Sequence, residues 1–201
     1  MRAITATLGL CLVSAGVLPA QQPNILLILA DDLGYGDLGC YNPDSTIATP
    51  NVDKLATEGM RFTDAHSPST VCTPSRYSVL TGRMAFRLNY RGVFTGAGGP
   101  CLITEDRLTL PAMLKQRGYA TAMFGKWHIG LTFLDTDGNA ILKNGLPAVQ
   151  RIDYSRAIVD APIHRGFDQF FGTACIVNGF IRIGNDYSIF ENLCARAKAY
   201  S

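Results

Sequence analysis

The sequence predicts an α/β fold, in which helices cover a mostly parallel sheet to give an α/β/α sandwich. The apolar segment 24–30 is continuous rather than alternating, as is typical of a parallel strand buried on both faces. Segment 119–124 is interpreted as a second buried strand. Polar residues capable of chemistry follow both segments, at the strand ends where open α/β sheets bind ligands.

Helices are predicted between these strands. Thr49 caps a first helix that ends at Gly59, and a short strand over 60–63 follows it. Thr109 caps a later helix that ends at Gly118. This order of strand, loop and helix supports the α/β class.

The N-terminal 20 residues have the pattern of a secretory signal peptide: Arg2, an apolar segment over 8–17 and Ala20 at the end. The apolar segment is too short to span a bilayer, so we expect an exported domain over 21–201, periplasmic or secreted, without stable membrane insertion. An uncleaved anchor is the alternative. A content of 47% hydrophobic and 17% charged residues fits one globular domain. With a net charge of +2 and no basic stripe, no nucleic-acid partner is expected.

Loss of Cys11 with the leader leaves five of the six cysteines, an odd number for an oxidising compartment. One thiol is therefore expected to have a special role. If it is the chemically modified one, the other four could pair: Cys40, Cys101, Cys175 and Cys194. None of the cysteines has the spacing of a structural zinc site.

The most informative segment is Cys-Thr-Pro-Ser-Arg, which begins at Cys72. A helix is predicted to start at Pro74 or Ser75 and to end near Thr81, with Cys72 just before its N-terminus. A cysteine there could be a nucleophile, because the helix dipole favours its anionic form, or only a small buried apolar residue. Arg76 falls on the same helical face and favours an anion.

Asp31 and Asp32 follow the first predicted strand and lead into a glycine-rich turn. Paired carboxylates suit a hard cation, Ca²⁺ or Mg²⁺. The alternative is a turn-forming Asp pair.

Lys126 and His128 follow the second predicted strand and, in extended geometry, point to the same side, with Trp127 facing away. A lysine can bind an anionic group, and a histidine can donate a proton to a leaving oxygen. The alternatives are a solvated lysine and a hydrogen-bonded structural histidine. His66 could line the pocket or hold its loop, and His164 is interpreted as a loop residue.

Together these motifs resemble the N-terminal part of a type I sulfatase, in the alkaline-phosphatase-like superfamily. The specific match is Cys-x-Pro-Ser-Arg with Thr-Gly-Arg shortly after it. The matching segments, in the family's order and spacing, are 24–39, 49–59, 72–83, 125–130 and 166–172.

The resemblance implies that a formylglycine-generating maturation enzyme oxidises Cys72 to Cα-formylglycine. It also implies that Asp31 and Asp32 bind calcium together with an oxygen of the modified residue, magnesium being less favoured. The hydrated aldehyde would attack the sulfur of a sulfate ester and later expel sulfate, which splits the hydrolysis into two easier steps.

By the same resemblance Arg76 stabilises the hydrated aldehyde, Lys126 binds the sulfate, and His128 holds the diol or the sulfate by hydrogen bonds. The implied substrate is a sulfated small molecule or glycan. A phosphate or phosphonate monoester hydrolase built on the same framework is the alternative within the superfamily.

The resemblance further implies an incomplete, truncated domain, because the family's second pair of metal ligands and a further His and Lys have no counterpart. Asn185 and Asp186 do not follow a buried strand. The isolated chain is therefore expected to bind calcium weakly and to hydrolyse aryl sulfates poorly or not at all. The alternative from another class is a non-catalytic fragment that retains only a folding or anion-binding surface.

Overall fold

The computed structural model describes residues 22–94, 99–143 and 146–174. The chain divides into two compact units, Met1–Leu55 and Ala56–Ser201. The signal peptide, Cys175, Cys194 and Asn185-Asp186 lie outside the described residues. Within those residues, no helix is long and apolar enough to cross a membrane.

Two of the predicted strands are wrong. Residues 22–30 form no strand, and Leu26 and Ile28 are 85% and 75% exposed. Residues 60–63 are likewise irregular and exposed. An apolar run specifies a preference for burial, but a strand also needs a neighbour to pair its backbone groups. Among the described residues, only the two strands defined below form a sheet.

The helices agree better with the sequence. Helix α1 is Pro50–Glu58 and helix α3 is Leu110–Lys115, both close to the predicted bounds. The Thr109 hydroxyl caps α3 by accepting a hydrogen bond from Ala112 N, as predicted. A short fourth helix, α4, spans Leu146–Val149.

Helix α2 is Cys72–Thr81 and ends at Gly82, which has a left-handed backbone with φ 63°. Cys72 is therefore the first residue of the helix, and its predicted position just outside the helix is wrong, because α2 starts earlier than predicted. Val71 is extended and forms the cap, and Pro74 fits the first turn because its missing N–H has no partner there in any helix.

The sheet consists of β1, Ala122–Lys126, and β2, Gln169–Thr173, which pair in parallel with Phe124 opposite Phe171. Strand β1 starts three residues later than predicted. The reason lies in α3: Tyr119 N donates to Leu114 O and thereby completes the end of that helix. The parallel sheet with its helices is consistent with the predicted α/β class.

The core of the second unit lies around the end of β1. Its fully buried side chains include Tyr77, Ile103, Trp127 and Ile129. Phe170, in β2, is also buried in this core. Trp127 and Ile129, in the segment that follows β1, are therefore held in this core.

Candidate active site

Cys72 and Lys126 are in contact. The Lys126 Nζ donates a hydrogen bond of 3.1 Å to Cys72 Sγ, although the residues are 54 positions apart in the sequence. Cys72 opens α2 and Lys126 ends β1, and both are half-buried. An ammonium group in a partly dehydrated position attracts any negative charge on the group at position 72 more strongly than it would in water.

Arg76 joins the same two elements. Its guanidinium Nη1 donates a hydrogen bond of 2.5 Å to the carbonyl oxygen of Lys126, and the residue is 9% exposed. The helical face that carries Cys72 thus also carries the residue that fixes the end of β1. A planar, permanently charged guanidinium suits this partly buried role better than a lysine would.

After Lys126 the chain continues to pair with β2. Trp127 N donates to Thr173 O at 2.9 Å, and His128 N donates to Ala174 O at 3.0 Å. His128 then adopts a left-handed backbone with φ 53°. The prediction that Lys126 and His128 point to the same side assumed an extended backbone, and the backbone is not extended at His128.

The His128 ring is completely buried and bonds to the backbone of Phe94: the distance from Nε2 to Phe94 O is 2.8 Å. Phe94 N in turn lies 3.4 Å from Oγ1 of Thr73, which is also completely buried. Sequence reasoning missed Thr73 and Phe94. The carbonyl of Phe94 could not be recognised in the sequence, since every residue has a backbone carbonyl. The Thr73 hydroxyl, next to Cys72, was the one sequence feature that could have indicated this contact.

Gly130 closes this segment. Its φ is 92°, and a Cβ atom there would lie 2.3 Å from Pro100 O and 2.9 Å from Phe94 Cζ. The Trp127 indole Nε1 donates to Gly130 O at 2.8 Å. Only glycine fits this position, so the turn after His128 is defined by both space and conformation.

Asp31 and Asp32 are exposed residues of the first unit, and Asp32 has a left-handed backbone with φ 57°. The other four predicted site residues belong to the second unit. Two carboxylates have the donor chemistry of a calcium site, but calcium takes about six to eight oxygen ligands. Within the described ranges, no cluster of three or more His, Cys, Asp or Glu side chains is placed to hold a metal.

The remaining histidines have local roles. His66 is exposed, and its Nε2 lies 2.7 Å from Asp64 Oδ1. His164 was interpreted as a loop residue, but it lies in the short 3-10 helix Pro162–Arg165, and its Nδ1 accepts a hydrogen bond from Ala161 N at the start of that helix.

The described cysteines, Cys40, Cys72 and Cys101, form no disulfide with one another. Burial, the largest of several influences, raises the pKa of the Cys101 thiol to about 11. Cys101 is therefore a protonated, packed thiol at neutral pH. The pairing of the other predicted partners stays a prediction.

A family model described as Sulfatase matches residues 23–181. Human arylsulfatase A is 52% identical to this chain over 120 residues, which cover 59% of this chain and 23% of that protein. The chain thus spans about a quarter of the length of the relatives it matches.

Solved protein structures also resemble this chain. A Bacteroides thetaiotaomicron protein, solved in work on glycosaminoglycan metabolism, is 36% identical with a TM-score of 0.64, covering 79% of this chain and 29% of that chain. Ps i-CgsB, solved in complex with k-i-k-neocarrahexaose, is 28% identical with a TM-score of 0.61, covering 88% and 33%. These likenesses confirm the predicted fold class.

Proposed function

This chain belongs to the sulfatase family, and we propose that it supplies the nucleophile-bearing part of a site that hydrolyses sulfate monoesters. The observation that carries the proposal is the 3.1 Å contact between Lys126 Nζ and Cys72 Sγ. It brings a cation to the residue at which the family's nucleophile forms, and the substrate is an anion.

Cys72 is proposed to be the precursor of Cα-formylglycine, made by a formylglycine-generating maturation enzyme. The Cys-Thr-Pro-Ser-Arg order from Cys72 supports this assignment. The modified residue supplies an oxygen nucleophile where cysteine would supply sulfur. Its position at the start of α2 also places it at the positive end of the helix dipole.

Lys126 is proposed to bind the sulfate group. Lys126 is half-buried at the end of β1, where a charge interaction is stronger than in bulk water. Arg76 holds the carbonyl of Lys126 and thus fixes the backbone from which that ammonium projects. The guanidinium charge also adds to the positive potential around position 72.

His128 is proposed to hydrogen-bond the nucleophile or the sulfate. Its ring is completely buried, and the bond to Phe94 O fixes the ring's orientation. An oriented imidazole suits proton transfer or hydrogen bonding at a reacting oxygen better than a mobile one.

Asp31 and Asp32 would hold a calcium ion, since carboxylate oxygens are the ligands that hard cations prefer. Magnesium is the less favoured choice. When bound, such an ion neutralises charge on the sulfate oxygens. The described residues supply two ligands of the right kind, so the site would need further ligands.

The proposed substrates are aryl sulfates or sulfated glycans. Arylsulfatase A supports the first by its name, and the neocarrahexaose complex of a structural relative supports the second. We also propose that the protein is exported, because of its leader-like first 20 residues.

The test is a hydrolysis assay on the protein at whatever length its own host produces it, with matched aryl sulfate and aryl phosphate substrates. We expect release of sulfate in preference to phosphate, and loss of this activity in Cys72→Ala. Cys40→Ala is the matched control and should keep the activity. Preference for the phosphate ester, or undiminished turnover by Cys72→Ala, would refute the proposal.

A further inference from the structure

Three buried residues beside the site, His128, Phe94 and Thr73, are joined by hydrogen bonds into a short relay. His128 and Thr73 have no exposed surface, and Phe94 is 5% exposed. Phe94 contributes only its backbone: its carbonyl meets the imidazole at 2.8 Å, and its N–H meets the Thr73 hydroxyl at 3.4 Å. Because all three are buried, bulk water does not compete for these bonds.

The bond to Phe94 O determines which ring nitrogen carries the proton. A carbonyl oxygen can only accept a hydrogen bond, so the hydrogen in the bond must come from His128 Nε2. In the neutral ring the other nitrogen, Nδ1, then has the lone pair. The neutral imidazole therefore accepts hydrogen bonds at Nδ1 and has no proton to give from that atom.

We propose that Thr73 is a positioning residue, which holds the Phe94 backbone in place and thereby keeps His128 in the tautomer protonated at Nε2. Thr73 sits in the first turn of α2, directly after Cys72. The hydroxyl that follows the nucleophile position thus controls the imidazole through one backbone residue. Serine would preserve this acceptor, and valine would remove it with little change in shape.

For catalysis the inference rests on the proposed function. There it assigns neutral His128 the role of an acceptor, which orients a hydroxyl group at the reacting centre through Nδ1. Proton donation to a leaving oxygen would require the ring to be protonated first. The tautomer itself is a property of the folded chain and does not depend on turnover.

The experiment is NMR of the full chain with ¹⁵N-labelled histidine. The sequence has three histidines, so His66→Ala and His164→Ala assign the signals of His128 by elimination. We expect the wild-type His128 to carry its proton on Nε2, with Nδ1 unprotonated. In Thr73→Val we expect loss of the single tautomer and appearance of the Nδ1-protonated form, and in Thr73→Ser the wild-type pattern.

Thr81→Val is the matched control. Thr81 lies in the same helix, its hydroxyl donates to Tyr77 O, and its loss should leave the His128 signals unchanged. A wild-type ring protonated at Nδ1, or a Thr73→Val spectrum identical to wild type, would overturn the inference. If Thr73→Val does not fold, the hydrogen-exchange rate of the Phe94 amide is measured in the wild-type protein. Slow exchange supports the hydrogen bond from Phe94 N to Thr73, and fast exchange overturns the inference. Absence of sulfatase activity changes none of these signals, so the two proposals fail separately.

Discussion

Lys126 is the residue on which the proposed chemistry depends most. It contacts Cys72 through its side chain and Arg76 through its carbonyl oxygen. Substitution of its side chain therefore removes the ammonium while leaving the backbone acceptor for Arg76 intact. This separation makes it possible to test charge without disturbing the link between α2 and β1.

Lys126→Met retains most of the apolar stem and removes the charge. We expect kcat for sulfate release to fall by about 10²-fold to 10³-fold, the usual loss when an electrostatic contact to the transition state is deleted. The measurement is steady-state hydrolysis of an aryl sulfate by the host-produced protein. Lys143→Met, at an exposed position, is the control. Wild-type kcat in Lys126→Met would exclude the proposed role.

Gly130→Ala tests the turn after His128. A Cβ atom would lie 2.3 Å from Pro100 O on a backbone with φ 92°, so both a clash and strain are expected. Strain alone costs about 1–3 kcal/mol, and the clash adds to it. Gly82→Ala, at φ 63° but in open space, measures strain without a clash. Urea unfolding should show a larger loss for Gly130→Ala, and equal losses would contradict the stated geometry.

Single residues differ in how far the sequence reveals them. Cys72, Arg76 and Lys126 belong to a recognisable motif order, and the structure brings them together. Thr73 and Phe94 could not be predicted, because their contacts join a common hydroxyl to a backbone N–H and an imidazole to a backbone carbonyl. Local spacing does not specify such tertiary hydrogen bonds.

At the scale of elements, Asp168 ties α3 to both strands. Its carboxylate pairs with Lys115 Nζ at 2.6 Å and accepts hydrogen bonds from the N–H and the hydroxyl of Thr121. The hydrogen bond from Lys115, followed by those from Thr121, lowers the pKa of Asp168 to about 2. The junction between the end of α3, the start of β1 and the start of β2 therefore depends on an ionised carboxylate.

Asp168→Asn should consequently change the pH dependence of stability. The folded pKa is below the ordinary value of 3.8, so the contribution of Asp168 is present above pH 3.8 and is lost as the pH falls through about 2. Urea unfolding at a series of pH values should show wild type more stable than the variant at about pH 6, with the difference shrinking below about pH 4. Asp44→Asn, at an exposed site, is the control. A difference that is the same at every pH would contradict this role of the ionised carboxylate.

The helices could be predicted from sequence because caps and stop signals act locally, as at Thr109 and Gly82. The strands could not be placed as well. Strand β1 starts later than predicted because Tyr119 N donates a hydrogen bond to Leu114 O at the end of α3. Segment 24–30 pairs with no strand among the described residues. Strand formation depends on partners distant in sequence, and an apolar run does not identify them.

The exposure of segment 24–30 gives a direct test. Ile28→Thr should change the free energy of unfolding of the 201-residue chain by no more than about 0.5 kcal/mol, because Ile28 is 75% exposed. The same substitution at Ile103, which has no exposed surface, should cost about 2 kcal/mol or more. Urea unfolding measures both. Equal, large losses would show that segment 24–30 is buried, as the sequence predicts.

At the scale of the whole molecule, the predicted site residues are divided between two units. The nucleophile position and its three neighbours lie in the second unit, and the carboxylate pair lies in the first. The chain covers 23% of the length of arylsulfatase A and 29% of its structural relative from Bacteroides thetaiotaomicron. Family membership rests on residues 23–181, which include the cysteine motif. The hydrolysis of sulfate esters is a proposal.

Mass spectrometry of the protein from its native host can show whether Cys72 is converted to the catalytic group of a sulfatase. Trypsin releases Cys72 in the peptide 62–76. After treatment with iodoacetamide, we expect a peptide with the mass of formylglycine at position 72, in which oxygen replaces sulfur and two hydrogens are lost. A peptide in which position 72 is still a cysteine, and is therefore alkylated by iodoacetamide, would contradict the conversion to formylglycine.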